Sequence, residues 1–189
     1  LLRVWPDDHL KARHTELLEV MMTRIIDPAT YHTLLFFDEV WTPKSANVSY
    51  GHDIETSWLL VEAAEGLGHG PVYDQGRDPD GAVLYEGGPE GWVDDTKQWW
   101  PQAEAMVGFL NAYQLTGEAH FLEAARQSWT FIETHLIDHE RGGWYRYVTR
   151  DLQRDPDVPK VSFWKTPYHN SRACMELTDR LSAMIQASV

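Results

Sequence analysis

The sequence predicts an all-α chain of the toroid or solenoid kind, with short strand-like pieces in the loops between helices. Three observations carry this. Apolar residues recur at helical spacing over several long stretches; the loops between them repeat a common pattern; and 189 residues, 43% of them hydrophobic and nine of them Trp, are enough for one domain with a substantial core.

Taking the elements in order, Leu10, Leu17, Leu18, Met21, Met22 and Ile25 share one helical face between Asp8 and Ile26, and the stretch stops at "DPAT". Pro6 to Asp8 suit its first turn, where a missing N–H costs nothing and acids meet the positive helix end. Leu1 to Trp5 reads as the tail of an earlier helix. With no initiator Met, basic region or signal-peptide pattern in "LLRVWPDDHL", the expectation is a piece of a longer protein. Further helices are expected over about 50–67, 96–115, 118–136 and 167–187.

Three loops repeat. "DPATYHTLLFFDE" from Asp27, "DPDGAVLYEG" from Asp78 and "DHERGGWYRYV" from Asp138 each place Asp at a helix end, then a turn, then an apolar or aromatic run. Their spacings of 51 and 60 residues, with two helices per unit, are those of a helical toroid or solenoid. The shorter unit holds only one clear helix, and its Gly-rich "GLGHGPVYDQGR" implies a truncated helix at 68–77.

The totals exclude several partners. A formal net charge of −13 repels nucleic-acid phosphates and anionic headgroups, so a small neutral molecule suits the chain better. The single cysteine, Cys174, excludes an internal disulfide framework and is compatible with a reducing cytoplasm, the expected location. No uncharged apolar run reaches the roughly 18 residues needed to span a membrane.

Two histidines pose the functional question. In "SYGHDIETSWLL", Ser49 is a plausible N-cap and His52 falls at the third helical position; in "KTPYHNSRACMEL", Thr166 and Pro167 are a cap and first-position pair that puts His169 near the same place. The helix dipole opposes a positive charge there, and a neutral imidazole can take a proton as a general base must. Glu55 follows His52 on the same face, where it would steady the protonated ring, and Trp58 lies one turn on. After His169, Arg172 and Glu176 continue the corresponding face. Alone, each feature is commoner as a cap, a satisfied core group or a surface acid. In "DDTKQWWPQAEA", Asp95 and Gln98 have capping-box spacing, and Trp99, Trp100 and Glu104 follow. Aromatic faces and acids around a concavity are how proteins hold neutral sugars.

Together, "SYGHDIETSWLL", "WWPQAEA" and "FWKTPYHNSRACMEL" resemble the N-acylglucosamine 2-epimerase superfamily, most closely its cellobiose 2-epimerase branch, over nearly the whole chain. The resemblance implies an (α/α)6 barrel of which residues 1–189 form a single partial domain, the C-terminal half, with short β-hairpins in the inter-helix loops. It implies that His52 and His169 are the acid/base pair, that Glu55 supports His52, and that Trp58, Trp100, Glu104 and Trp164 contact the sugar. The implied reaction is epimerisation at C2 of a reducing-end aldose in a mono- or disaccharide, through an enediolate, with no metal or redox cofactor. The rest of the family's site, an Arg included, would belong to the other half; for the chain alone, activity would need two copies completing one another in a homodimer.

Other readings stay open at this stage. An aldose–ketose isomerase shares the enediolate. A glycoside hydrolase would use two carboxylates such as Asp53 and Glu104, leaving the histidines idle. A divalent ion on His52, Glu55 and His169, or a non-catalytic carbohydrate-binding half-barrel, are the remaining alternatives.

Overall fold

The computed structural model describes residues 4–65 and 77–187. Among these, five α-helices form where the apolar periodicity places them. The truncated helix expected at 68–77 lies outside the described residues except for Arg77, which makes an isolated antiparallel bridge to Val83. Residues 1–3 of the expected helical tail also lie outside, and Val4 and Trp5 are not helical.

Helix α1 (Asp8–Val20) opens on Asp7, whose carboxylate accepts the Leu10 N–H at 2.9 Å and so satisfies one of the donors a helix start leaves unpaired. It ends in a wide turn, Met21–Ile25, closed by a bond from the Ile26 N–H to the Met21 carbonyl at 2.9 Å, the five-residue step of a π-turn. Strand β1 (Val48–Ser49) leads directly into α2 (Tyr50–Glu65). Strands β2 (Glu86–Gly88) and β3 (Gly91–Asp94) form an antiparallel hairpin, and β1 joins its free edge with Val48 opposite Gly87 and Ser49 opposite Glu86. Strand β4 (Lys97–Gln98) pairs with β5 (Tyr147–Val148).

That pairing corrects the expected start of the third helix. Lys97 and Gln98 are drawn into the β4–β5 ladder, and the Trp99 N–H bonds to the Arg146 carbonyl at 2.9 Å. Helix α3 (Trp99–Thr116) therefore begins three residues later than expected, with Gln98 at the cap position but making no side-chain cap bond, so the Asp95–Gln98 capping box does not form. At its far end Gly117 takes a left-handed φ of 73° and returns its N–H to Tyr113, a C-cap that glycine enters without steric cost. Helix α4 (Ala119–Phe131) ends, like α1, in a π-turn (Ile132–Leu136), and α5 (Tyr168–Ala187) closes the described chain.

The loop repeat is real in three dimensions. Asp27 and Asp138 each follow a π-turn, and each closes a loop by bonding its N–H to a carbonyl five residues on, that of His32 and of Gly143. Asp78 does the same one residue shorter, to Ala82. Aspartate recurs here because its carboxylate accepts the turn's own N–H groups: Ala29 to Asp27 at 2.8 Å, Glu140 and Arg141 to Asp138 at 3.1 Å.

Helix α3 is the centre of the fold. Every residue from Trp99 to Ala112 is buried, and α2, α4 and α5 all pack on it. One apolar cluster gathers Trp58, Trp99, Trp100, Met106, Phe131 and Ile132, and a second gathers Ile54, Val83, Phe109 and Leu110. Helix α1 by contrast buries no residue, and among the described residues it packs chiefly on α2. A helix buried all round must lie inside a layer of others, which makes α3 an inner helix of the half-barrel and the amphipathic α4 an outer one. No helix among the described residues is long and apolar enough to cross a membrane.

Candidate active site

The N-terminal turns of α2, α3 and α5 converge. Gly51 makes this possible: a Cβ there would stand 2.4 Å from the Trp100 ring and 2.9 Å from Pro101, so only a glycine lets α2 approach the start of α3. Trp100 then lies against both histidines, with its ring centroid 4.9 Å from that of His52 and 5.4 Å from that of His169. The Tyr85 ring meets Trp100 edge-on at 6.0 Å. Burial, then the nearby Glu86 carboxylate, push the Tyr85 hydroxyl above its usual range, so it remains a donor.

His52 is the third residue of α2 and is exposed. Its Nδ1 lies 2.7 Å from the hydroxyl of Ser49, itself buried and fixed by the β1–β2 pairing. Ser49 was expected to cap the helix; its hydroxyl is turned to the imidazole.

His169 is the second residue of α5, because the helix opens one residue later than the Thr166–Pro167 pair implies. Its Nδ1 lies 2.7 Å from Oε1 of Glu104. Glu104 has no exposed surface, and both its oxygens are used: Oε1 also accepts from Nη2 of Arg172 at 2.6 Å, and Oε2 accepts the Trp58 indole N–H at 3.0 Å.

Arg172 joins the two halves of the site. Its Nη2 reaches Glu55 as well as Glu104, each at 2.6 Å, and Nη1 donates to the Tyr168 hydroxyl at 2.7 Å. Its guanidinium lies over the rings of Trp58, at 5.0 Å, and Tyr168, at 4.7 Å. Burial works against the charge, but the hydrogen bonds to Glu55 and Glu104 outweigh it and hold the guanidinium more firmly protonated than usual.

The expected site residues differ in their surroundings. His52, Trp100, His169 and Glu104 come together. Glu55 joins them, but its carboxylate is paired with Arg172, and the group bonded to His52 is Ser49. Trp58 is 3% exposed, lying under Arg172 with its N–H committed to Glu104. Trp58 and Glu104 are thus buried behind the two histidines, with the indole N–H and both carboxylate oxygens bonded within the site. Trp164 is 77% exposed and meets the Phe163 ring edge-on at 5.0 Å. Asp53, the other acid of the hydrolase reading, spends both oxygens on the 27–34 loop, bonding the His32 ring and the Thr33 N–H at 2.7 Å each.

A ligand atom from each of Glu55, Glu104 and His169 lies within 4.8 Å of the others, a set that would fit a divalent ion. The Arg172 guanidinium already stands between the two carboxylates and supplies the positive charge they need. The role of Arg172 was the principal feature missed. Its three-residue spacing from His169 was visible in the sequence, but its acidic partners come from α2 and α3, 117 and 68 residues away.

The geometry is that of a half-barrel of paired helices whose inner N-termini bring two imidazoles to one indole, and comparison with known proteins places the fold. The sequence profile of the family described as N-acylglucosamine 2-epimerase (GlcNAc 2-epimerase) matches residues 3–173. The chain is 39% identical to the cellobiose 2-epimerase of Bacteroides fragilis over 94% of its own length and 49% of the relative's. It superposes on the cellobiose 2-epimerase structures of Spirochaeta thermophila, with a TM-score of 0.87 at 35% identity, and Bacillus thermoamylovorans, with 0.86 at 35%, covering 97% and 95% of this chain and 49% of each of those. This chain belongs to the N-acylglucosamine 2-epimerase family, and it spans about half the length of the relatives it matches.

Proposed function

We propose that this site inverts the configuration at C2 of a reducing-end aldose, of the cellobiose or glucose type, to its mannose-type epimer. The observation that carries the reading is the pair of imidazoles set against Trp100, each with Nδ1 tied down, His52 by Ser49 and His169 by Glu104. Tying down Nδ1 leaves Nε2 of each ring to face the substrate.

The chemistry follows from that arrangement. In the open-chain sugar, one imidazole takes the C2 proton, and the C–H electron pair moves into a C1–C2 double bond as O1 takes the charge. The planar enediolate can be protonated from either face. Rotation about C2–C3 presents the opposite face to the second imidazole, whose proton goes to C2, and the double bond collapses back to the C1 aldehyde. One proton is lost and one gained, so no redox partner is needed. A base within hydrogen-bond reach contributes about 10²–10⁴-fold to such a transfer. Direction of reaction decides which ring acts first.

The test is incubation of candidate sugars with the protein in deuterated water. Deuterium at C2 of an epimerised aldose supports the proposal. A ketose product points to an aldose–ketose isomerase, and a cleaved glycoside to a hydrolase; either overturns it.

One second reading is a carbohydrate-binding half-barrel that presents the aromatic surface around Trp100 without turnover. Activity of the chain alone would then require two copies completing one another. Full turnover by a species that sediments as a monomer excludes the dimer requirement, and loss of turnover with retained sugar binding in His52→Ala argues against the binding-only reading.

A further inference from the structure

The two carboxylates at the heart of the site pose a problem that one residue solves. Glu55 and Glu104 both converge on Nη2 of Arg172. Without a cation between them, two carboxylates this close share a proton, because like charges disfavour each other's ionised form. Glu104 has no exposed surface, so water cannot take the cation's place.

The protonation of Glu104 has a direct consequence for His169. An ionised Glu104 only accepts, so the 2.7 Å contact to Nδ1 requires the proton to sit on Nδ1 and leaves Nε2 with a free lone pair. A protonated Glu104 would donate to Nδ1, and the ring's own proton would sit on Nε2, the nitrogen that a base must keep vacant. We propose that Arg172 is a positioning residue that selects the tautomer of His169: by holding Glu104 as a carboxylate, it makes Nε2 the basic nitrogen.

The surroundings of Arg172 fit this role. Trp58 fixes the other oxygen of Glu104 and lies under the guanidinium, and Tyr168 accepts from Nη1 while its ring lies against the guanidinium. The guanidinium therefore cannot swing away from Glu104 without giving up two aromatic faces as well as two ion pairs. His52, held by a hydroxyl that can donate or accept, has no equivalent control. The proposal rests on the epimerase reading only for the use made of Nε2.

The experiment is nitrogen-15 NMR of the whole chain labelled at histidine, with the His169 signals identified by their loss in His169→Asn. In the wild-type protein the neutral ring is expected with its proton on Nδ1. In Arg172→Met the major tautomer is expected to reverse to Nε2–H, while Arg172→Lys, which keeps a cation, retains Nδ1–H. A wild-type ring protonated on Nε2 overturns the proposal without any variant, and so does Arg172→Met with an unchanged tautomer. The readout needs no turnover. A reversed tautomer in a protein that never exchanges the C2 proton would sink the epimerase reading alone; an unchanged tautomer in an active enzyme would sink this proposal alone.

Discussion

His169 of α5 and Glu104 of α3 meet at 2.7 Å, imidazole Nδ1 to carboxylate Oε1, with the carboxylate buried from solvent. His52 instead meets the Ser49 hydroxyl at the same distance. The two imidazoles therefore have unequal partners: in the proposed reaction a carboxylate would stabilise an imidazolium at His169, and a neutral hydroxyl would do so far less at His52.

Ser49→Ala and Glu104→Gln should separate the two effects. Removing the hydroxyl is expected to slow deuterium incorporation at C2 by about 3- to 10-fold, the worth of one neutral hydrogen bond. Removing the carboxylate charge is expected to cost about 10²-fold or more, the lower range of a general-base contribution. Equal losses in the two variants would show that the carboxylate gives His169 nothing beyond orientation.

Gly51→Ala tests the convergence of α2 and α3. The added methyl would meet the Trp100 ring at 2.4 and 2.6 Å and Pro101 at 2.9 Å, and real contacts of that kind do not persist. Overpacking of this sort typically costs about 1–3 kcal/mol. Since the ring that must move is the one lying against both histidines, sugar affinity should fall along with the melting temperature. A variant that melts lower but binds sugar as the wild type does would remove Trp100 from the binding surface.

What the sequence disclosed of this arrangement divides along a physical line. Helical periodicity and the Asp-led turns are local, and α1 to α5 lie within a few residues of their expected places. The loop repeat was legible because the same aspartate chemistry closes each turn. The start of α3 was misplaced because Lys97 and Gln98 answer to β5, about fifty residues further on, rather than to their own neighbours. Likewise the role expected for Glu55 rested on helical spacing from His52, whereas its carboxylate is claimed by Arg172 from another helix. Spacing along a helix shows which residues share a face, and tertiary packing decides which partner wins.

The turn after α4 should govern acid stability. The Lys160 ammonium bonded to Asp138, opposed by burial and helped by the Arg141 and Glu140 N–H groups, holds that carboxyl far below its ordinary value of 3.8. A depressed folded-state value adds stability that is complete above the unfolded value and is lost as pH falls below it. Asp138→Asn should therefore lower the melting temperature at neutral pH, and its difference from wild type should shrink below about pH 4, where the unfolded carboxyl takes up its proton. Parallel melting curves down to pH 2 would show that Asp138 contributes nothing that depends on its charge.

Lys165 should act in the opposite sense at high pH. It is 4% exposed, with its ammonium 5.0 Å above the Trp99 ring. Burial, with a smaller contribution from Lys160, lowers its value from 10.5 to about 8. Below about 8 both folded and unfolded chains carry the charge, and the folded state bears the full cost of burying it. Between 8 and 10.5 the unfolded chain binds the proton and the folded chain releases it, so stability rises with pH across that window. Lys165→Met removes both the buried charge and the rise. It also removes the cation–π attraction to Trp99, worth about 0.5–2 kcal/mol. That attraction holds only while the amine is charged, so its absence offsets part of the gain at neutral pH and none of it above the window. The expected result is a melting-temperature difference, variant minus wild type, that falls steadily between pH 8 and 10.5. A difference that stays constant across that range would mean that Lys165 keeps its ordinary basicity and that its ammonium reaches solvent.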